Sequence, residues 1–477
     1  MIVYGIKLAI LSAIAILSVV FSSKTIFSSG LGKRIVAFWI IALPLIFFLR
    51  NEALTLMAGL FLLVLVNKNN SGSIFTIAFF IGVLGAIPDW VEYHVSVPGI
   101  NYLITLSFYK IAVIALLVPL LLQIGGENRL KWNVADSLVC LFVLVTTLLT
   151  FREGKLTSVL RFFVDSCLIY IVPYFVISRL VKTINDFHYC AVAVLVFSII
   201  ISAILFVSQV VQLDIYEAFN PRSKYNIIRE YRGGFLRLSG PLSSPLIGFT
   251  MLSGYLALDI LKKHISVLPV IRWLIILMFF LAVLFSGSRG GLFSFILGVA
   301  VYWYFIKLSS EKRVLLVLSV VILFLAELLF GISAMFIYED EYGTFDYRVE
   351  LYTASWLFLK QNPLFGMQNF LYSGYFDHLV TGLGIIDIVS TYLQIVLKYG
   401  FVGLFLFFSM FLSIIIPLAK RLLSIGVSVS DVDRYMTMYF AINIALMFII
   451  STTSMISLLP IFIMINISFG RAILARY

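Results

Sequence analysis

Between two strongly apolar runs stands the polar island SGSRGG (Ser286–Gly291), and its Arg289 is the first residue that invites a chemical reading. A guanidinium at or just beneath a membrane surface is costly unless it faces a wet or charged cavity, so it is a functional candidate by default. The bland alternative is a snorkelling anchor whose glycine neighbours let helices approach closely. Arg289 is one of a set. Arg152 and Arg161 share one short polar stretch, Arg222, Arg229, Arg232 and Arg237 lie in a second, and Arg348 lies in a third. The planar fork of arginine binds phosphate bidentately, a geometry the point charge of lysine lacks. Each arginine alone has an equally ready partner in Glu217, Glu230, Asp340, Glu350 or a lipid headgroup, but the set points to an anionic ligand.

Other chemistries find no support. There is no HExxH, no GxSxG, no P-loop and no complete GxGxxG. Cys140, Cys167 and Cys190 lie far apart in apolar runs without CxxC or Cys/His spacing, so they suggest neither a disulfide framework nor a metal site, and no cofactor is expected. The formal charge of +11 is not gathered into basic runs interleaved with aromatics, so it reads as membrane topology and not as a nucleic-acid surface.

The scaffold that must hold these arginines follows from composition. Of 477 residues 62% are hydrophobic, 16% aromatic and only 12% charged, with a mean hydropathy of +1.09. Thirty-four Lys and Arg with twenty-three Asp and Glu cannot clothe a core this apolar in water, so the solvent is lipid and a soluble enzyme is excluded. The expected fold is all-α: a single polytopic membrane domain over 1–477 with about 13–15 transmembrane segments. The apolar runs are 3–22, 35–49, 54–66, 74–87, 104–123, 136–150, 164–177, 189–213, 246–261, 268–285, 291–308, 314–333, 401–418, 435–450 and 455–469. The pair within 35–66 reads as a tight hairpin or something less regular. The run 3–22 reads as a helix and not as a cleaved leader, since neither a basic segment before it nor an A-x-A site after it is present.

Threading these runs as alternating helices puts Lys262, Lys263, Lys307, Lys312, Arg313, Lys420, Arg421, Arg434, Arg471 and Arg476 on one face. Arg179, Lys182, Arg129, Lys131, Lys68, Lys24, Lys33 and Arg34 join them, so this face, with the carboxyl end, is expected in the cytoplasm. The loop 88–103 and the long hydrophilic segments 214–245 and 334–400 fall outside, and they hold the arginines that break the positive-inside tendency. In the last segment Tyr347, Leu351, Ala354 and Phe358 recur at helical spacing before the stop Asn362-Pro363, which predicts an amphipathic helix on the outer surface. A second such stretch, 388–399, leads into the next span, and the two together read as a lid over a cavity.

Four stretches in order resemble the bacterial O-antigen polymerase and O-antigen ligase superfamily. SGSRGGLFSFILG (286–298) is similar to its SRGG-containing helix start, and RLSGPLSSPLIGFTML (237–252) to its R-x-x-G-x-x-x-x-P loop and following helix. YRVELYTASWLFLKQNPLFGMQNF (347–370) and STYLQIVLKYGFVGLFLF (390–407) look like two further segments, so the resemblance covers roughly 230–410. It implies a metal-independent glycosyltransferase of the bacterial cytoplasmic membrane, acting at the outer face on undecaprenyl-pyrophosphate-linked oligosaccharide, with membrane lipid around it and a chain-length regulator as a further partner. By position it makes Arg237, Arg289 and Arg348 pyrophosphate contacts, with Arg161 and Arg232 as secondary ones; Arg289 and Arg348 would also stabilise the departing charge. Ligases and many relatives carry His-Asn just before the Y-L-Q segment, where Val389 and Ser390 stand here. His378 and Asp387, in the same loop, are the substitutes for that missing base, and Asp346 and Glu350 flank Arg348 as holders. The departure favours a polymerase of O-antigen, capsule or exopolysaccharide over a ligase. A flippase of lipid-linked sugars would also need an arginine-lined cavity, but transporters show internal repeats and short loops that are missing here.

Overall fold

An apolar segment in lipid must satisfy its own backbone, and the α-helix is the form in which one segment does so alone. In the computed structural model the described residues are 30–49, 51–67, 72–97, 100–124, 131–152, 154–217, 230–232, 234–265, 267–306, 344–381, 384–423, 430–456 and 458–477. Their helices are α1 (Gly30–Leu49), α2 (Glu52–Asn67), α3 (Ser73–Val83), α4 (Phe108–Leu122), α5 (Val134–Thr150), α6 (Leu156–Leu180) and α7 (Ile184–Val211). After them come α8 (Ser244–Leu261), α9 (Pro269–Phe285), α10 (Arg289–Ile306), α11 (Thr344–Gln361), α12 (Thr391–Leu423), α13 (Asp431–Ser451) and α14 (Leu459–Arg476). Seven of these, α6, α7, α8, α10, α12, α13 and α14, are long and apolar enough to cross a membrane, and α2 to α5 with α9 are shorter apolar helices. The chain is an all-α polytopic membrane bundle, as expected. The expected spans 3–22 and 314–333 lie outside the described residues.

The outward surface confirms the solvent. On α2, Met57, Phe61 and Val64 are 54–67% exposed, and on α9 Val270, Trp273, Leu277 and Phe280 form a second open stripe. Apolar stripes at three- and four-residue spacing turned outward are what a lipid-facing helix presents. The centre is α7 and α8, buried on nearly all sides, which is why their sequences are apolar all round. Here Gly248 of α8 meets the backbone of Gly291 on α10, an approach that leaves no room for a side-chain carbon.

The bundle has two faces. One gathers the cations and the C-terminus: Arg471 Nη2 donates to Lys131 O at 2.9 Å, Arg476 Nη2 to Arg179 O at 2.9 Å and Arg34 Nη1 to Val66 O at 2.9 Å. It is locked by Asp136, whose buried carboxylate accepts from Arg179 Nη1 at 2.9 Å and Tyr174 Oη at 2.7 Å while Asn133 and Asp136 cap α5 reciprocally. The opposite face carries the long connections, and α8, α10, α12 and α14 all start there.

The structure differs from expectation at two places. Part of the expected loop 88–103 is strand: β1 (Glu92–Val97) pairs antiparallel with β2 (Ile100–Ser107), whose Ile104, Thr105 and Leu106 had been assigned to the next span. Alternating polar and β-branched residues there favour a pleat over a helix. The pair within 35–66 takes the first of its two expected forms, a tight hairpin of two regular helices, α1 and α2. Helix α6 starts at Leu156, well ahead of the apolar run at 164, so Arg161 is a helix residue and not a loop residue. Lys110 on α4 finds its partner on α6, Asp165, at 2.8 Å.

Helix α11 follows the predicted pattern. Leu351, Ala354 and Phe358 are buried, and Phe370, Phe376, Leu379, Ile388 and Leu397 close over them in an apolar cluster separate from the main core. The stripe is therefore covered by the chain's own loop and the first turns of α12. The loop and α12 are joined at glycines: Gly400 breaks α12 with φ +66°, and Phe401 N and Val402 N, just beyond the break, donate to Pro363 O and Leu364 O at 2.9 and 3.2 Å.

Candidate functional site

The face opposite the C-terminus assembles the site from four segments. The first is the SGSRGG turn. After α9 ends, Ser286 Oγ donates to Val283 O at 2.6 Å and Gly287 takes φ +58°, a left-handed conformation that costs a side-chain-bearing residue about 1–2 kcal/mol. Ser288 Oγ then accepts from Gly291 N at 3.1 Å, capping α10. Arg289 opens the helix, half-buried, and among the described residues its guanidinium makes no hydrogen bond or ion pair.

The second segment is the hairpin of β3 (Tyr231–Arg232) and β4 (Phe235–Leu236), tied to the end of α9 by Leu238 N donating to Phe285 O at 2.9 Å. It folds over Gly287: Arg232 Nη1 donates to Gly287 O at 3.2 Å, and a methyl added to Gly287 would meet Arg237 Cγ at 3.3 Å. Arg237 Nη1 pairs with Glu230 Oε2 at 2.5 Å. The base of this arch is Asp214, buried, whose Oδ2 accepts from Ser239 N at 2.8 Å and Gly240 N at 3.0 Å while Oδ1 accepts from Tyr216 N at 3.0 Å. Glu217, beside Asp214 and Glu230, has its carboxyl pushed above the ordinary range, first by burial and then by those two carboxylates.

The third segment joins α11 to residues 384–390. Tyr347 Oη accepts from Asp387 N at 2.8 Å and donates to Asp387 O at 3.0 Å, so that stretch is held against the turn that carries Arg348. The Asp387 carboxyl is open to solvent at its surface but crowded by protein around it. Burial raises its pKa above the usual carboxylate value, and the nearby guanidinium groups of Arg348 and then Arg237 pull it back. The fourth segment is the turn after α13. Thr391 donates through N and Oγ1 to Thr453 O at 2.7 and 2.6 Å, Met455 N donates to Gln394 Oε1 at 2.7 Å, and Thr452 packs on Gly290 beside Arg289.

The expected residues divide accordingly. Arg232 and Arg237 lie against Gly287 of the turn that bears Arg289, and Arg348 and Arg237 are near enough to Asp387 to act on its charge. Arg161 is held elsewhere, its guanidinium 3.4 Å over the Tyr102 ring and donating to Tyr102 O at 2.6 Å. Arg152 Nη2 donates to Phe365 O and Gly366 O at 2.9 and 3.2 Å. His378 sits exposed in the turn Asp377–Leu379. Asp346 and Glu350 are exposed and, among the described residues, neither forms an ion pair with Arg348. Arg222, Arg229 and Asp340 lie outside the described residues. Two organising residues went unrecognised in the sequence: Asp214, for which the only local signal is its turn-forming Asp-x-x pattern, and the clamp made by Tyr347.

Chemically, the arrangement offers guanidinium groups gathered near one turn, a helix N-terminus favouring negative charge, and two carboxyls, Glu217 and Asp387, whose pKa is raised. At the two positions where the resemblance leads one to expect His-Asn, Val389 packs into the apolar cluster and Ser390 accepts from Leu393 N at 3.4 Å to cap α12, so both positions serve structure here.

Residues 273–408 match the family model described as O-antigen ligase. The match runs from α9 into α12 and takes in the SGSRGG turn, Arg348 and Asp387. The resemblance to the O-antigen polymerase and ligase superfamily is thereby borne out. No curated protein matches the chain.

Proposed function

We propose that this chain is a polysaccharide polymerase of the superfamily, transferring a growing glycan from undecaprenyl pyrophosphate onto the next lipid-linked repeat unit. The observation that carries the reading is the juxtaposition of Arg348 and Arg237 with Asp387, beside the turn that bears Arg289. In the transfer, an acceptor hydroxyl oxygen bonds to the anomeric carbon of the donor sugar as the bond from that carbon to the phosphate oxygen breaks. The hydroxyl proton passes to the Asp387 carboxylate, and the electron pair leaves on lipid pyrophosphate. Charge grows on the departing phosphate, where Arg289 and Arg348 stabilise it electrostatically. Arg237, already neutralised in part by Glu230, orients Asp387 and lines the donor site with Arg232. Asp387 is preferred to His378 as base because Arg348 and Arg237 act on its charge, whereas His378 sits exposed in the turn Asp377–Leu379.

The excess of Lys and Arg on the C-terminal face supports a cytoplasmic C-terminus and a site at the outer surface of a bacterial cytoplasmic membrane. One observation favours the ligase reading, the description of the matching family itself. The two are separated by a gel of surface polysaccharide from a deletion strain beside its parent. Single repeat units on the final acceptor establish a polymerase. Polymer held on undecaprenyl pyrophosphate, never reaching an acceptor, establishes a ligase and overturns the proposal.

A further inference from the structure

On the opposite face, far along the helices from the arginines, three ligand-type side chains from three elements converge. His188 lies in the first turns of α7, His264 just after α8, and Asp431 at the start of α13. The rings of His188 and His264 stand perpendicular with centroids 4.2 Å apart, and His264 Nε2 is 3.8 Å from Asp431 Oδ2. One ligand atom from each residue lies within 4.8 Å of the others.

His188 carries the decisive detail. Its Nδ1 is 2.6 Å from Ile184 O, a carbonyl that can only accept, so Nδ1 bears a proton and Nε2 is the ring nitrogen left to offer a lone pair to a ligand on its other side. That Nε2 is buried and has no hydrogen-bond partner. A backbone carbonyl fixing one imidazole nitrogen while the other is left as a lone pair is the outer-shell arrangement of metal-binding histidines. A simple ion pair does not account for the cluster, because 3.8 Å between His264 and Asp431 exceeds hydrogen-bonding distance and leaves His188 out.

We infer that His188, His264 and Asp431 form a binding site for a divalent transition-metal ion of zinc-like preference, clipping α7, α8 and α13 together. Two imidazoles and one carboxylate suit zinc, whereas magnesium and calcium take oxygen ligands. Zinc–ligand bonds of about 2.0–2.2 Å place ligand atoms roughly 3.4 Å apart in a tetrahedron, so side-chain rotations of about an ångström close the set. Water fills the fourth position. The ring of Tyr435, one turn beyond Asp431, lies 5.4 Å from that of His188 and shields one side. The role is structural, and it stands independently of the reaction proposed for the other face.

The test uses the full-length chain in detergent, without a polyhistidine tag and stripped with chelator. It is titrated with Zn2+ alone by calorimetry, and with Co2+ for the visible spectrum of a tetrahedral nitrogen–oxygen site. One equivalent bound per chain, a rise in unfolding temperature on binding, and at least about 10-fold weaker binding in both His188→Gln and His264→Gln are expected, since even outer-shell changes cost that much. His264 is exposed, so His264→Gln folds whether or not His188→Gln does. Failure of the wild type to hold one equivalent, or His264→Gln binding as tightly as wild type, overturns the site.

Discussion

Tyr347 grips the backbone of Asp387 from both sides, its hydroxyl accepting from the amide at 2.8 Å and donating to the carbonyl at 3.0 Å. Since Arg348 is the next residue, this one phenol sets the spacing between a cation and the carboxyl it influences. The apolar face of α11 supplies the rest of the support, because Leu351, Ala354 and Phe358 fix the helix on the cluster that also buries Ile388, next to Asp387. Removing the Tyr347 hydroxyl leaves that packing in place. Tyr347→Phe should cost about 1 kcal/mol of stability, the net worth of such hydrogen bonds, yet lower glycan transfer roughly 10²-fold, since small misplacements at a reacting centre cost that much. Unfolding temperature and transfer rate measured on the same preparation check this; a variant with wild-type transfer would remove the clamp from the mechanism.

The arginines should separate by role. Arg289→Ala and Arg348→Ala are expected to abolish long-chain glycan while the protein remains in the membrane, with rates down by about 10²–10³, the usual loss when one donor to developing charge is removed. Lysine in either position keeps the charge and loses the fork, so it should rescue only in part. Arg161→Ala should retain polymer, because that guanidinium is engaged with Tyr102. Wild-type ladders from both Arg289→Ala and Arg348→Ala would end the pyrophosphate-site reading.

Topology is a separate expectation. The described parts of the connections 214–245 and 334–400 share the face opposite the C-terminus, so reporters fused within those parts should give an extracytoplasmic signal and a reporter after Tyr477 a cytoplasmic one. A cytoplasmic signal from either connection would put the site on the wrong side for a donor displayed outside.

Much of this was readable in the residues, and the gaps have physical causes. The covered stripe of α11 was legible because Leu351, Ala354 and Phe358 repeat at the helical period and nothing in the loop competes with it. The pairing of Arg237 with Glu230 was one of the partnerships open to that arginine in the sequence, since both lie in one short segment. The influence of Arg237 on Asp387 was not legible, because it depends on how segments far apart in the chain pack together, which no local pattern encodes. Arg161 was misplaced because LTSVLRFFVDS carries enough polar residues to look like a loop, although its helix is stabilised by contacts with β2 and α4. The strands at 92–107 were hidden because the polar residues of 92–103 read as a loop, while the apolar and β-branched residues from Ile104 onward merged with the run that follows.

The pH dependence of transfer follows from the surroundings of Asp387. The base must be ionised, so activity falls as pH drops and the carboxyl takes up a proton. Burial raises this pKa, and the acid limb of the kcat/KM profile should therefore lie above that of an exposed aspartate. Arg348 and Arg237 favour the ionised form and oppose that rise. Replacing either with glutamine removes a positive charge, raises the Asp387 pKa further and should move the limb to still higher pH, whatever happens to the height of the profile. Asp387→Asn should erase the limb along with most of the rate. A profile measured from the neutral range downward on wild type, Arg237→Gln and Arg348→Gln decides it: a limb that stays fixed in both variants would show that the titrating base is a group these arginines do not face, and His378, exposed in its turn, would become the residue to replace next.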